Sequence, residues 1–290
     1  MKIGIVGNTT KKEFQKTFEK LVDLLIRKKA AIFANKSLQK FISKEKRNKI
    51  KFYPIDKLSD FIELLITIGG DGTILNSAQI VLEKQIPIFG INLGKLGFLA
   101  DTFSNEIDKS INLVLQKKFF IENRNVLQTK IGKKTFYAIN DFVLDKGSSF
   151  RLVEIKLYVD NNYAVTYAAD GIIISTPTGS TAYSLAAQGP IIFPTCEVIE
   201  ITPICPHNLA IRPFIVSNES KIKLKVATIS KEKFRLSLDG QIEKYFSPPF
   251  EIEIQTSKYT MQLVKFSNNY FEALRNKLML GKRYLNNIGK

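Results

Sequence analysis

The chain has little of what builds metal centres or disulfide frameworks. Two cysteines, Cys196 and Cys205, and one histidine, His207, occur in 290 residues. A structural zinc site takes four ligands at a finger-like spacing, so that class is excluded, and nothing in the pattern supports a disulfide. Long apolar runs are also missing: no stretch approaches the ~20 apolar residues of a membrane span. The opening MKIGIVGNTTKKEF holds an apolar run too short for a signal peptide and passes at once into a basic amphipathic segment. A cytoplasmic protein with reduced thiols and no membrane partner is expected. Acidic residues are in the minority, 27 against 43 Lys and Arg, for a formal charge of +16. Such a surface attracts anions. The excess is mostly lysine spread along the chain, as a bias toward Lys, Asn and Ile also produces, so no nucleic-acid partner is expected. Both familiar phosphate motifs are absent. Gly90 to Lys95 is one residue short of a P-loop with no Ser or Thr after the lysine, and Gly70-Asp71-Gly72 lacks the third glycine of a dinucleotide fingerprint. There is no internal repeat.

What is there is organised around Leu64 to Ser77, LLITIGGDGTILNS. The run Leu64 to Ile68 reads as a strand buried on both faces of a parallel sheet. It stops at Gly69-Gly70, and Gly72 follows one residue later, removing the Cβ atoms that would hinder a sharp turn or a close ligand. Ile74 to Glu83 has helical preferences, so the glycines fall where a strand hands over to a helix N-terminus, a place that favours phosphate. The carboxylate of Asp71 in that turn is costly beside a polyphosphate. It therefore suits a working role, as a base for a hydroxyl nucleophile or a magnesium ligand; the plainer reading is a helix cap.

At 290 residues and 44% hydrophobic content, two domains with sizeable cores are expected. Lys2 to Gly7 and then Lys11 to Lys28, with Phe14, Phe18, Leu21, Leu24 and Leu25 at helical spacing, begin an α/β layer. Ala30 to Ala34 reads as a strand followed by a lysine-rich helix to about Lys46, and Pro87 to Asn92 as another buried strand. Ser104, with Glu106 and Asp108 behind it, reads as the N-cap of a helix to about Lys118. The period then changes. Val126 to Ile131, Thr135 to Leu144, Arg151 to Val159 and Tyr163 to Ala168 alternate as strands, and further candidates are Val198 to Thr202, Lys221 to Thr228, Phe234 to Leu238, Glu251 to Gln255 and Thr260 to Phe266. Asn268 to Leu280 returns to helical spacing and ends at Gly281 as a C-cap. The expectation is an N-terminal Rossmann-like α/β domain over residues 1–118, a C-terminal all-β, sandwich-like domain over 119–266, and a terminal helical segment over 267–290 that returns to the first.

Three polar groupings stand out. The loop Leu93 to Leu99 places Phe98 beside glycines, as a core residue or a ring to stack on a base. Asn140-Asp141 interrupts an otherwise strand-like stretch, at a cleft edge or on a solvated face. Asp170-Gly171 leads through Ile172 to Ile174 into STPTGSTAYS, Ser175 to Ser184, whose hydroxyl and amide donors suit an anion and whose Tyr183 can lie against a base.

At these residues the chain resembles the NAD kinase family over nearly its whole length. The anchors are Gly69 to Thr73, Asn92 to Leu99, Asn140-Asp141, Asp170-Gly171, Ser175 to Tyr183, Thr202 to His207, and Asp239-Gly240-Gln241. The resemblance implies transfer of phosphate from ATP, with Mg²⁺ or another divalent metal, to the adenosine ribose 2′-hydroxyl of NAD. It implies an active site between the two domains and a homodimer or homotetramer. By the same resemblance Asp71 would be the general base, with Gly70 and Gly72 letting backbone approach the phosphates. Phe98 would contact adenine, Asn140 and Asp141 would hold the ribose, and Asp170 the nicotinamide end. Thr178, Thr181, Ala182, Tyr183 and Gln241 would line the dinucleotide pocket, with Cys205 and His207 on its nicotinamide side and no dedicated metal ligand. Two departures stand out. Many members have Asn-Glu where this chain has Asn140-Asp141, and some bacterial members have an arginine where Ala168-Ala169 precede Asp170, which leaves the choice between NAD and NADH open. A lipid kinase sharing the glycine-aspartate turn, or a non-catalytic nucleotide or nucleic-acid binder, would leave the second and third motifs unexplained.

Overall fold

The computed structural model describes residues 1–94, 97–100, 102–147, 152–227, 233–267 and 270–279. They divide into two compact units, Met1–Glu122 with Gln262–Lys290, and Asn123–Met261. Among the described residues no helix is long and apolar enough to cross a membrane.

The first unit is built on an eight-stranded sheet. Its order is Ile50–Tyr53, Ala31–Asn35, Lys2–Gly7, Leu64–Gly69, Ile88–Asn92, Met261–Lys265 and Phe120–Arg124, with Thr102–Phe103 added beside Ile88–Asn92. The strands from Ile50–Tyr53 through Ile88–Asn92 pair in parallel. Leu64–Gly69, at the centre, is buried along its whole length, as its unbroken apolar run requires. Helix Phe14–Arg27 turns Phe14, Phe18, Leu21 and Leu25 onto the sheet. The chain order reverses between Lys2–Gly7 and Leu64–Gly69, so the carboxyl ends of these two strands flank the crevice where open α/β sheets place ligands. Asp71 follows directly from that edge as the first residue of helix Asp71–Val81.

The second unit is a sandwich of two six-stranded sheets. One runs Phe214–Ser217, Val198–Ile204, Gly171–Ser175, Asp141–Asp145, Phe234–Leu238, Ile242–Phe246; every pairing is antiparallel. The other runs Asn162–Ala169, Val153–Val159, Ile222–Val226, Phe250–Thr256, Leu127–Ile131, Lys134–Ala138, again antiparallel. Alternate residues such as Phe142, Leu144, Ile172 and Ile174 from one sheet meet Ile155, Leu157, Leu224 and Ile254 from the other. Each such side chain gains about 1.5–3 kcal/mol from burial.

Three local expectations are corrected. Thr135 to Leu144 is two strands in different sheets, Lys134–Ala138 and Asp141–Asp145; between them the backbone N–H groups turn to a side chain, that of Asp239, instead of a ladder. The lysine-rich helix is a 3₁₀ turn, Lys36–Phe41, and a short helix, Lys44–Arg47. Asn35 accepts from Ser37 N–H at 3.1 Å to start the first piece, and Ile42, buried and extended, separates the two. Ser104 caps no α-helix: it opens a 3₁₀ turn, and the helix runs Ile107–Leu115 without a side-chain cap. The terminal helix is Tyr270–Leu278. Its expected start at Asn268 and cap at Gly281 lie outside the described residues, as do Lys95 and Leu96, Ser148 and Ser149, Arg151 and Thr228.

Candidate active site

In the first unit three donors converge on Asp71. Gly70 is the N-cap, with an extended backbone (φ −116°). Among the described residues, and apart from its chain neighbours and its own helix backbone, a Cβ at Gly70 or at Gly72 would meet nothing within 4 Å. Among the described residues the space over these two glycines is therefore open. Asp71 Oδ2 accepts from Phe98 N–H at 2.9 Å and from Lys277 Nζ at 3.1 Å, and Oδ1 accepts from Leu99 N–H at 3.2 Å. Gly97 makes this grip fit, because a Cβ there would lie 1.9 Å from Oδ1. Phe98 is buried, with Lys277 Nζ 4.1 Å from its ring centroid and the Tyr270 ring tilted against it at 6.2 Å.

Lys277 is missed by sequence reasoning, being 206 positions from its partner. The signal is nevertheless present. Tyr270, Ala273 and Leu274 are the buried residues of their helix, and position 277 continues their i, i+3, i+4, i+7 stripe.

In the second unit a cavity of about 410 Å³ is lined by Asn140, Asp141, Ala182, Tyr183, Arg235 and Asp239, among others. That is within the size range of small-molecule sites. Its floor is fixed by Asp239, which follows strand Phe234–Leu238 in a left-handed turn (φ 51°, then 65° at Gly240). The Asp239 carboxylate accepts from the N–H groups of Ile139 at 3.0 Å, Asn140 at 2.7 Å and Asp141 at 3.2 Å. Asp239 N–H returns a bond to the Asp141 carbonyl at 3.0 Å. This clamp presents Asn140 and Asp141 at the junction between the sheets. The Ser175–Ser184 loop sits directly on it: Thr176 N–H donates to the Asn140 carbonyl at 2.8 Å, and Thr176 Oγ1 to that of Ile139 at 2.6 Å.

Burial dominates the electrostatics. It pushes Asp141 up to about 7, with the Asp239 and Glu200 charges adding to the rise. It pushes Asp239 up to about 6 against the three N–H donors. Glu200, wholly buried, is raised by desolvation and held down in part by bonds to its Oε1 from Ser184 Oγ at 2.6 Å and Thr202 Oγ1 at 2.9 Å. The Tyr183 hydroxyl is raised by burial and then by Asp145. Arg235 forks onto Asp145, with Nη2 2.8 Å from Oδ2, and reaches Glu243 at 3.0 Å, giving the cavity a charged wall. Among the described residues no group of three or more His, Cys, Asp or Glu is placed to hold a metal ion.

The other expected site residues are spread around this unit. Thr178 is buried and accepts from Arg124 Nη1 at 3.4 Å, and Thr181 Oγ1 bonds back to the Thr178 carbonyl at 3.3 Å. Asp170 is paired with Lys146 at 2.6 Å. Cys205 is exposed in a left-handed conformation (φ 44°), and His207 N–H donates to the Ala168 carbonyl at 2.8 Å. Gln241 N–H closes the Asp239-Gly240 turn onto the Leu238 carbonyl at 2.9 Å. In the sequence Asp239 is part of a motif with no evident task; in the structure it holds three backbone donors.

Two family models match the chain, the ATP-NAD kinase N-terminal domain over residues 3–119 and the ATP-NAD kinase C-terminal domain over residues 139–266. An NAD kinase of Caldanaerobacter subterraneus subsp. tengcongensis is 39% identical over 283 residues, 96% of this chain and 98% of that protein. An NAD kinase of Clostridium botulinum (strain Loch Maree) is 42% identical over 227 residues, 77% of this chain and 80% of the other. Among solved structures, yeast NADH kinase complexed with NADH matches with a TM-score of 0.89 at 25% identity, covering 100% of this chain and 90% of that one. An Archaeoglobus fulgidus NAD kinase in complex with ATP matches in fold, with a TM-score of 0.74 at 24% identity over 95% and 99% of the two chains.

Proposed function

The chain belongs to the ATP-NAD kinase family, and from that premise we propose that it transfers the γ-phosphoryl group of ATP to the adenosine ribose 2′-hydroxyl of NAD, with Asp71 as general base. The observation that carries this is the Asp71 carboxylate, oriented by two backbone N–H groups at the head of a helix, with open space over Gly70 and Gly72. A ribose hydroxyl is a poor nucleophile, and phosphoryl transfer needs in-line placement, charge neutralisation and a base at the attacking oxygen. In the step, the 2′-O–H proton passes to Asp71, the oxygen forms the new bond to the γ-phosphorus, and the bridging oxygen departs with ADP.

The helix head supports the phosphate role, since the dipole at a helix N-terminus favours anions. A divalent ion would arrive on the ATP phosphates. Such an ion would neutralise charge on the phosphates undergoing transfer. On the dinucleotide, Asn140 and Asp141 hold the ribose, and Asp141, raised to about 7, is partly protonated at neutral pH and able to donate as well as accept. Phe98 contacts adenine, and Thr178, Thr181, Ala182, Tyr183 and Gln241 line the dinucleotide pocket. Asp170, Cys205 and His207 belong to the nicotinamide side. Assembly as a homodimer or homotetramer is part of the same reading and is measured by light scattering.

The test is a coupled assay on purified protein with ATP and Mg²⁺, offering NAD and NADH in parallel. NADP from NAD alone supports the kinase and shows that selectivity does not need an arginine at Ala168-Ala169. Comparable product from both substrates assigns relaxed selectivity to that region. No product from either refutes the reading.

A further inference from the structure

A general base must keep one carboxylate oxygen available to the hydroxyl it deprotonates. At Asp71 the two oxygens are unequally occupied: among the described residues Oδ2 has two donors, Phe98 N–H and Lys277 Nζ, and Oδ1 has one, Leu99 N–H. A carboxylate oxygen has two lone-pair positions, so Oδ2 is filled and Oδ1 retains one. We propose that Lys277 is a positioning residue for phosphoryl transfer, which fills the second lone pair of Oδ2 and leaves Oδ1 as the atom that meets the acceptor hydroxyl. The inference rests on the kinase reading above.

Three features set Lys277 apart from a decorative surface lysine. Its position continues a helix stripe that is otherwise buried, Tyr270, Ala273 and Leu274, so the helix face itself turns the side chain toward Asp71. Its Nζ is fixed twice, at 3.1 Å from Asp71 and at 4.1 Å from the centroid of the Phe98 ring, and a cation over an aromatic face is attracted independently of the carboxylate. The residue it anchors, Phe98, also supplies one of the other Asp71 donors, so a single side chain steadies both the carboxylate and the loop that grips it. As a stability device the pair has little weight. The lysine side chain is 37% exposed and the aspartate 24%, and ion pairs of that exposure contribute little to folding. Its effect is therefore local, on where the carboxylate points.

The experiment compares wild type, Lys277→Met and Lys277→Arg for kcat, for KM toward NAD and ATP, and for Tm. The expected result is a fall in kcat of about 10-fold or more in Lys277→Met, as small misplacements of reacting groups produce, with KM for NAD within about twofold, as expected when only the transition state is affected. Tm should be nearly unchanged, and Lys277→Arg should recover much of the rate. A kcat that is unchanged or raised in Lys277→Met overturns the role, as does a loss that follows Tm and is not recovered by arginine. Wild-type protein that makes no NADP overturns the kinase reading itself, an outcome distinct from active wild type with an indifferent Lys277.

Discussion

Replacing Gly97 by alanine tests the geometry of the Asp71 grip with one methyl group. The new Cβ would lie 1.9 Å from Asp71 Oδ1, 2.6 Å from Cγ and 2.8 Å from Oδ2. Real Cβ atoms do not approach neighbours within 3.0 Å, so the carboxylate or the loop must give way by about 1.1 Å. Gly97 is not among the positive-φ glycines, so the backbone accepts alanine and the effect is steric. Either retreat lengthens the bonds from Phe98 N–H and Leu99 N–H, now 2.9 and 3.2 Å, and bonds to a charged acceptor contribute roughly 1.5–3 kcal/mol each. A misplacement of about 1 Å at a reacting group costs on the order of 10²-fold in rate. Gly97→Ala is therefore expected to lower kcat by about 10²-fold with KM for NAD largely kept, measured by steady-state NADP formation alongside a thermal melt. A kcat within about threefold of wild type would show that the Asp71 position is not what the rate depends on.

Two further predictions concern the second unit. Tyr183→Ala should raise KM for NAD more than it lowers kcat, because a ring lining the cavity contributes ground-state binding; an unchanged KM would remove Tyr183 from the dinucleotide pocket. Asp141 and Asp239, raised from 3.8 to about 7 and about 6, favour their protonated forms in the folded state. Their contribution to stability is thus full below about pH 4 and is lost as pH rises through 6 and 7. Melting curves from pH 4 to 8 should show Asp141→Asn declining less steeply than wild type, and parallel declines would contradict the burial argument.

Much of this is legible in the residues, and what is not has identifiable physical causes. The buried central strand and the turn into a helix at Asp71 follow from an apolar run ended by glycines. The sandwich follows from alternation in strands such as Val153–Val159 and Ile222–Val226. Phe214–Ser217 and Ile242–Phe246 are missed because they are edge strands, half-exposed along their length, so their alternation is weak. The break after Ala138 is invisible locally because the acceptor that replaces the ladder, Asp239, is 100 residues away from Ile139. Lys277 is hidden for the same reason. A lysine among nine helical residues reads as solvated until the partner that faces its stripe is known. Phe98 reads from the sequence as a core residue or a base-stacking ring; in the structure it is 8% exposed, with Lys277 Nζ 4.1 Å from its ring centroid.

The proposed chemistry depends on the Asp71 carboxylate taking the proton from the acceptor hydroxyl. The most direct measurement is Asp71→Asn assayed for NADP formation with NAD binding measured separately by calorimetry. Binding should stay close to wild type and turnover should fall by ~10²- to 10⁴-fold, the range for a lost general base. Turnover near wild type would contradict that chemistry.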